Sequence, residues 1–91
     1  MALALLFSPK GMTVKKYGDV MKRLEQAGAS APKGRSYHVC FGKGSKLQVF
    51  DVWDSKESFE KFGQTLVPIL KELGVNPGKP KVVEVVNTVR G

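Results

Sequence analysis

Apolar residues recur along this chain with two periods, and each change of period marks a boundary between predicted elements. Every position from Ala2 to Phe7 is apolar, which predicts a strand buried on both faces, closed by the loop Ser8-Pro9-Lys10-Gly11-Met12. Thr13 then stands as an N-cap before Val14, Tyr17, Val20, Met21 and Leu24, whose three- and four-residue steps predict a helix ending at Ala27-Gly28. After a small-residue linker at 29–34, the β-rich runs 37–41 and 47–53 flank Gly42-Lys43-Gly44-Ser45 and read as a hairpin. Phe59, Phe62, Leu66, Leu70 and Leu73 form a second helical stripe up to Gly74. Asp54-Ser55-Lys56-Glu57 precedes it as a capping box with Asp54 as the cap. Pro68 lies inside that stripe and predicts a kink or a division near Gln64-Thr65. Residues 81–89 form a β-branched last strand.

The order βαββαβ predicts one α+β domain over 1–91 of ferredoxin-like, split βαβ topology, with one antiparallel sheet and both helices on one of its faces. A sheet wetted on its other face would alternate cleanly between apolar and polar residues. Here strand one is wholly apolar and strand four reads Val82-Val83-Glu84-Val85-Val86. The helix-free face is therefore expected to be covered by the same face of a second copy, in a two-fold homodimer.

Composition changes this picture little. With 91 residues and 42% hydrophobic content the chain supports one core. The formal charge of +7 raises nucleic acid as a partner, but the lysines are scattered singly or in pairs such as Lys15-Lys16, so a solvated surface is expected. An RNA recognition motif shares the element order and is the main alternative, beside a purely structural dimer. It needs stacking aromatics on the open face of strands one and three; strand one is aliphatic, and strand three offers Phe50 but Gln48 where a second ring belongs. Nucleic acid is thus not the expected partner.

The lone Cys40 excludes an intramolecular disulfide and reads as a strand hydrophobe suited to a reducing compartment. The opening apolar run has no charged leader and stops at Ser8-Pro9, so it reads as a strand rather than a signal peptide, and no stretch is long enough to span a bilayer. A cytoplasmic location without membrane contact is expected. Gly42-Lys43-Gly44 lacks the following helix that would make it a phosphate cradle, no metal-ligand cluster stands out, and no cofactor is expected.

Candidate chemistry gathers where the third strand runs into the second helix. Asp51 and Trp53 are two residues apart, hence on one strand face, beneath the returning helix. A carboxylate among Val49, Trp53 and helix residues would be partly desolvated and suited to act as a general base. His38, the only histidine, is the second catalytic candidate. Its place depends on hairpin register. A two-residue Lys43-Gly44 turn puts it opposite Val49, on the Asp51 face as a diagonal neighbour; a three-residue bulged turn puts it opposite Phe50 and brings Tyr37 beside Asp51. The first is preferred. Tyr17, Tyr37, Trp53, Phe59 and Phe62 are candidate ligand-binding residues, an aromatic lining between helices and sheet for a flat apolar molecule, though the same rings could simply fill that space.

The stretch Val52-Trp53-Asp54-Ser55-Lys56-Glu57-Ser58-Phe59-Glu60-Lys61-Phe62 resembles the dimeric α+β barrel superfamily, in particular the relatives of antibiotic-biosynthesis monooxygenases, many without assigned function. The resemblance extends to nearly the whole chain as an element order. It implies two ferredoxin-like protomers whose sheets close a barrel, with Trp53 facing the helices and Phe50 and Val52 facing the barrel interior. Phe62 stands where haem-degrading relatives often carry histidine, and strand one lacks their polar residue. A phenylalanine cannot ligate iron, so the resemblance implies a cofactor-free oxygenase or isomerase, or a ligand-binding barrel, rather than a haem enzyme.

Overall fold

Strand β1 (Leu3–Phe7) is apolar throughout because it is an inner strand of the sheet, with neighbours on both sides and a helix layer above. In the computed structural model, which describes residues 2–91, it is followed by α1 (Val14–Gln26), β2 (Arg35–Phe41), β3 (Gln48–Trp53), α2 (Lys56–Glu72) and β4 (Lys81–Glu84). The sheet has the order β2-β3-β1-β4 with every neighbouring pair antiparallel. This is the ferredoxin-like arrangement, and within the protomer the sheet is open rather than closed into a barrel.

The helix ends follow local chemistry. The Thr13 hydroxyl accepts from the Lys16 N–H to cap α1, and Gly28, at φ 70°, ends it as Ala29 N–H reaches back to the Leu24 carbonyl. The cap of α2 is Ser55, one residue later than the expected Asp54: the Ser55 hydroxyl accepts from Ser58 N–H, while Asp54 N–H donates to the Gly34 carbonyl. Nor is α2 divided at Pro68. It runs unbroken from Lys56 to Glu72, because Pro68 and Gln64, whose carbonyl loses its helical donor, both lie on the exposed side, where water can take the missing bond. An Arg23–Glu72 ion pair ties the C-terminal ends of the two helices.

Two strand expectations also need correction. β4 ends at Glu84, not at 89; the Val85 N–H still bonds back, to the Ala2 carbonyl, and residues 86–91 have no strand partner among the described residues. The hairpin connection is longer than either turn considered, spanning Gly42 to Leu47, with Lys46 N–H closing on the Lys43 carbonyl. His38 consequently pairs directly with Asp51, and Tyr37 with Val52. The preferred register had the correct face but was two residues short, a slip that preserves the side of every side chain.

The core lies between sheet and helices, around Leu5, Val20, Leu24, Trp53 and Phe62. Trp53 is fully buried and faces the helices. The opposite face carries Ala4, Leu6, Tyr37, Val39, Phe50 and Val52, with no helix over it. Its apolar character explains the absence of alternation in β1.

Candidate functional site

The positions that put Trp53 under α2 also place Asp51 one pleat away, on the same face of β3. Asp51 is 5% exposed, the only buried charged residue among the described residues, and two side chains, Trp53 and His38, hydrogen-bond its carboxylate. The Trp53 indole N–H donates to Asp51 Oδ2 at 3.3 Å, His38 Nδ1 lies 2.5 Å from Oδ1, and Tyr17 Oη lies 2.6 Å from His38 Nε2. The strand pairing sets His38 across from Asp51; the first turns of α1, fixed by the Thr13 cap, bring Tyr17 down onto the imidazole, the two rings being 7° from coplanar.

Donors and acceptors along this chain can be assigned from the groups themselves. Burial, reinforced by the Cys40 thiol and opposed by Arg35, pushes the Tyr17 phenol above its ordinary 10.0, with the Asp51 carboxylate pushing the same way. The phenol is therefore protonated at neutral pH, and with the imidazole in its neutral form it donates to His38 Nε2 while Nδ1–H donates to the carboxylate. The arrangement is the orienting logic of a nucleophile–histidine–aspartate triad with a phenol in the first place. A proton leaving Tyr17 has an acceptor in Nε2, and the imidazolium so formed rests against Asp51.

Burial also raises the Cys40 thiol above 9.0. For both groups the folded state favours the neutral form, so their contribution to stability is complete below the ordinary values and is lost as pH rises through the raised ones. Urea midpoints are expected to fall between about pH 9 and pH 11, and to fall less in Tyr17→Phe than in the parent. Equal losses in the two proteins would mean that the phenol is not held neutral by its surroundings.

Above this chain lies a cleft of about 70 Å³, several times the roughly 10 to 15 Å³ that one water needs. Phe7, Met12, Met21, Phe59, Phe62 and Leu66 make its walls apolar, while Tyr17, His38, Asp51 and Arg35 reach it as polar groups. Pro9 and Pro77 also line it, beside the place where the β1–α1 loop is clipped to the segment after α2 by paired backbone bonds between Lys10 and Asn76.

Five of the seven sequence candidates line this cleft: Asp51, His38, Tyr17, Phe59 and Phe62. Trp53 lies behind it, edge-on to Phe59 at 5.7 Å and tilted against Phe62 at 5.4 Å, and bears on the cleft through its bond to Asp51. Tyr37 is the correction. It is 54% exposed on the helix-free face, packed against Phe50 at 6.2 Å, because the observed pairing puts it opposite Val52. The residue that sequence reasoning missed is Arg35, which falls between the linker at 29–34 and the β-rich run 37–41. A bulge at Ser36 pairs Arg35 with Trp53 and so turns its side chain to the helix side. Gly34 just before it, at φ 97°, packs so closely on Asp54 and Ser58 that a Cβ would lie 2.6 Å from their side chains. Among the described residues, no three His, Cys, Asp or Glu side chains come together as a metal site, and no helix is long and apolar enough to cross a membrane.

An open antiparallel sheet with both helices on one face, and a cleft between the layers, defines a ferredoxin-like α+β fold. No family model and no curated protein sequence matches the chain. Solved structures do. A presumed antibiotic biosynthesis monooxygenase from Chloroflexus aurantiacus J-10-fl superposes with a TM-score of 0.69 at 15% identity, covering 99% of this chain and 98% of the other. SnoaB, a cofactor-independent oxygenase from Streptomyces nogalater, superposes with a TM-score of 0.63 at 14% identity over 99% and 96% of the two chains. A protein of unknown function from Nitrosomonas europaea gives 0.59 at 16% identity over 99% and 92%. At these identities the likeness establishes the fold.

Proposed function

We propose that the chain works as a homodimer in which each protomer binds a flat, weakly acidic aromatic molecule in the cleft and removes a proton from it, as the first step of a cofactor-free oxygenation. The observation that supports this best is the Trp53–Asp51–His38–Tyr17 chain, which ends at an otherwise apolar cleft. An acidic O–H or activated C–H of the ligand gives its proton to the Tyr17 oxygen as the phenol proton passes to His38 Nε2. Asp51 holds the resulting imidazolium. The electron-rich carbanion left in the cleft forms a C–O bond to dioxygen, the co-substrate; the peroxide takes a proton back from His38, and loss of water leaves a carbonyl. Without dioxygen the same carbanion is reprotonated at another atom, which is the isomerase variant. The cofactor-independent oxygenase activity named for SnoaB, of the same fold, favours the first course. Tyr17 and His38 are the proposed proton-transfer residues, Asp51 and Trp53 position them, and Phe59 and Phe62 lie around the ligand.

The dimer reading rests on the helix-free face, where Tyr37 and Phe50 meet beside Ala4 and Val52, and on the exposed Val82, Val83, Val86 and Val89. Light scattering should give twice the 10.0 kDa protomer mass, and calorimetry with 2-naphthol should show binding that weakens at least fivefold in Tyr17→Phe. A monomer that binds RNA with steep salt dependence would overturn the assembly reading. Equal naphthol affinity in parent and variant would remove the polar chain from the site.

A further inference from the structure

Arg35 is the cleft residue for which neither the fold nor the proton chain supplies a role. Its guanidinium lies over the Phe62 ring at 5.6 Å, its one protein hydrogen bond goes to the Ser30 carbonyl at 3.3 Å, and no carboxylate pairs with it among the described residues. A guanidinium carries five N–H donors, so most of them are free. The other polar groups at the cleft behave differently: Tyr17, His38 and Asp51 are engaged with one another. An apolar cleft with one unneutralised fixed cation on its wall complements an anion.

The backbone sets the face from which that side chain rises. The Ser36 bulge pairs Arg35 with Trp53 as His38 pairs with Asp51, so the two side chains rise from the same face, one pleat apart, about 6.6 Å along the strand. That is close to the length of a para-substituted benzene ring. The Arg35 charge also reaches the far end of this span, where it opposes the burial that raises the Tyr17 phenol. The net charge of +7 favours the approach of an anionic ligand.

We infer that Arg35 is the anion-recognising residue of the cleft, and that the ligand is a phenol bearing a carboxylate about one aromatic ring away from the hydroxyl presented to Tyr17 and His38. The assignment rests on the cleft being the binding site proposed above. It specifies the ligand class, a hydroxyaryl carboxylate, and its orientation: carboxylate to the guanidinium, ring against Phe62 and Phe59, hydroxyl to the proton chain.

Two probes of the same shape test it. At neutral pH 4-hydroxybenzoate is an anion and 4-hydroxybenzamide is neutral. By calorimetry the parent protein should bind the carboxylate about tenfold more tightly than the amide, as expected for one charge-assisted pair, and the preference should shrink with added salt. Arg35→Met keeps an apolar stem against Phe62; it should bring the preference below twofold while amide affinity is kept, and Arg35→Lys should retain part of it. Equal affinity of the parent for both probes, or a preference that survives in Arg35→Met, overturns the assignment of Arg35 but leaves the cleft as a binding site. Failure of both probes to bind overturns both. Should Arg35→Met not fold by circular dichroism, the parent's discrimination between the probes and its reduction in Arg35→Gln decide the matter.

Discussion

Trp53→Ala should lower the unfolding free energy by about 3 to 5 kcal/mol, the range for deleting a large ring from a packed core. Three contributions act together. The indole is fully buried, so its whole apolar surface returns to water on unfolding, and its removal leaves a cavity bounded by Phe59 and Phe62, whose contacts are lost. The third is polar: Asp51 Oδ2 loses its indole donor while staying buried. For a domain of this size each kcal/mol moves the midpoint by about 4 to 8 °C, so the variant should melt roughly 12 to 40 °C lower. Trp53→Phe separates the contributions, since it keeps one ring in place and loses the N–H; it should cost less than half as much. Urea unfolding followed by circular dichroism measures both. A loss below about 1 kcal/mol in Trp53→Ala would contradict the packing of Trp53 between sheet and α2.

The same residue shows what could be read before the fold was known. Trp53, Phe59, Phe62 and the α1 stripe declare their side of the sheet by period alone, since a buried face repeats along the chain whatever its partner. The apolar β1 likewise announced an inner strand. The alternation around Asp51 placed the carboxylate on the helix side, and the odd sum of paired positions that puts His38 on that side too was available from a short turn. The identity of its partner was not. Register depends on loop length, and nothing in Gly42-Lys43-Gly44-Ser45 required the connection to extend through Leu47. Tyr37 belongs beside Asp51 only in the alternative register, one residue removed, and the observed pairing with Val52 puts it on the helix-free face.

Arg35 was hidden by a different mechanism. Its side is decided by one extra residue, Ser36, that interrupts the two-residue period, and a bulge leaves no trace in the alternation of so short a segment. The hint available was Gly34, which ends the linker with a backbone conformation that side chains rarely adopt. The contact between Tyr17 and His38 joins residues 21 positions apart through the docking of a helix on a sheet, and both had been singled out only separately. The α2 cap shifted from Asp54 to Ser55 because both residue types serve as caps and the competition was decided by tertiary structure: the Asp54 N–H is taken by Gly34.

Asp51→Asn should reverse the tautomer of His38 while leaving the fold intact. An asparagine in this place has one acceptor and one donor end, and its two neighbours have unequal freedom. The Trp53 indole can only donate, so it fixes the asparagine carbonyl on its own side and turns the NH₂ group toward His38 Nδ1. Nδ1 must then accept, and the imidazole proton moves to Nε2, where it donates to the Tyr17 oxygen. The asparagine and imidazole groups stay satisfied and the phenol O–H turns to the cleft, where there is room for water to accept it, which is why stability should change little. The proton chain, however, now runs in the wrong sense: His38 has no lone pair facing Tyr17, and a proton arriving from the cleft has no acceptor. If the chain performs the proton abstraction proposed above, turnover should fall about a hundred- to ten-thousand-fold, with ligand affinity nearly unchanged. The tautomer can be checked without any substrate. His38 is the only histidine, so long-range ¹H–¹⁵N correlation spectra of labelled protein contain one ring. The parent should show a protonated Nδ1 and a bare Nε2, and Asp51→Asn the reverse. An Nδ1 that stays protonated in the variant would mean that Trp53 does not orient residue 51, and the chain would then end at His38 rather than begin at Trp53.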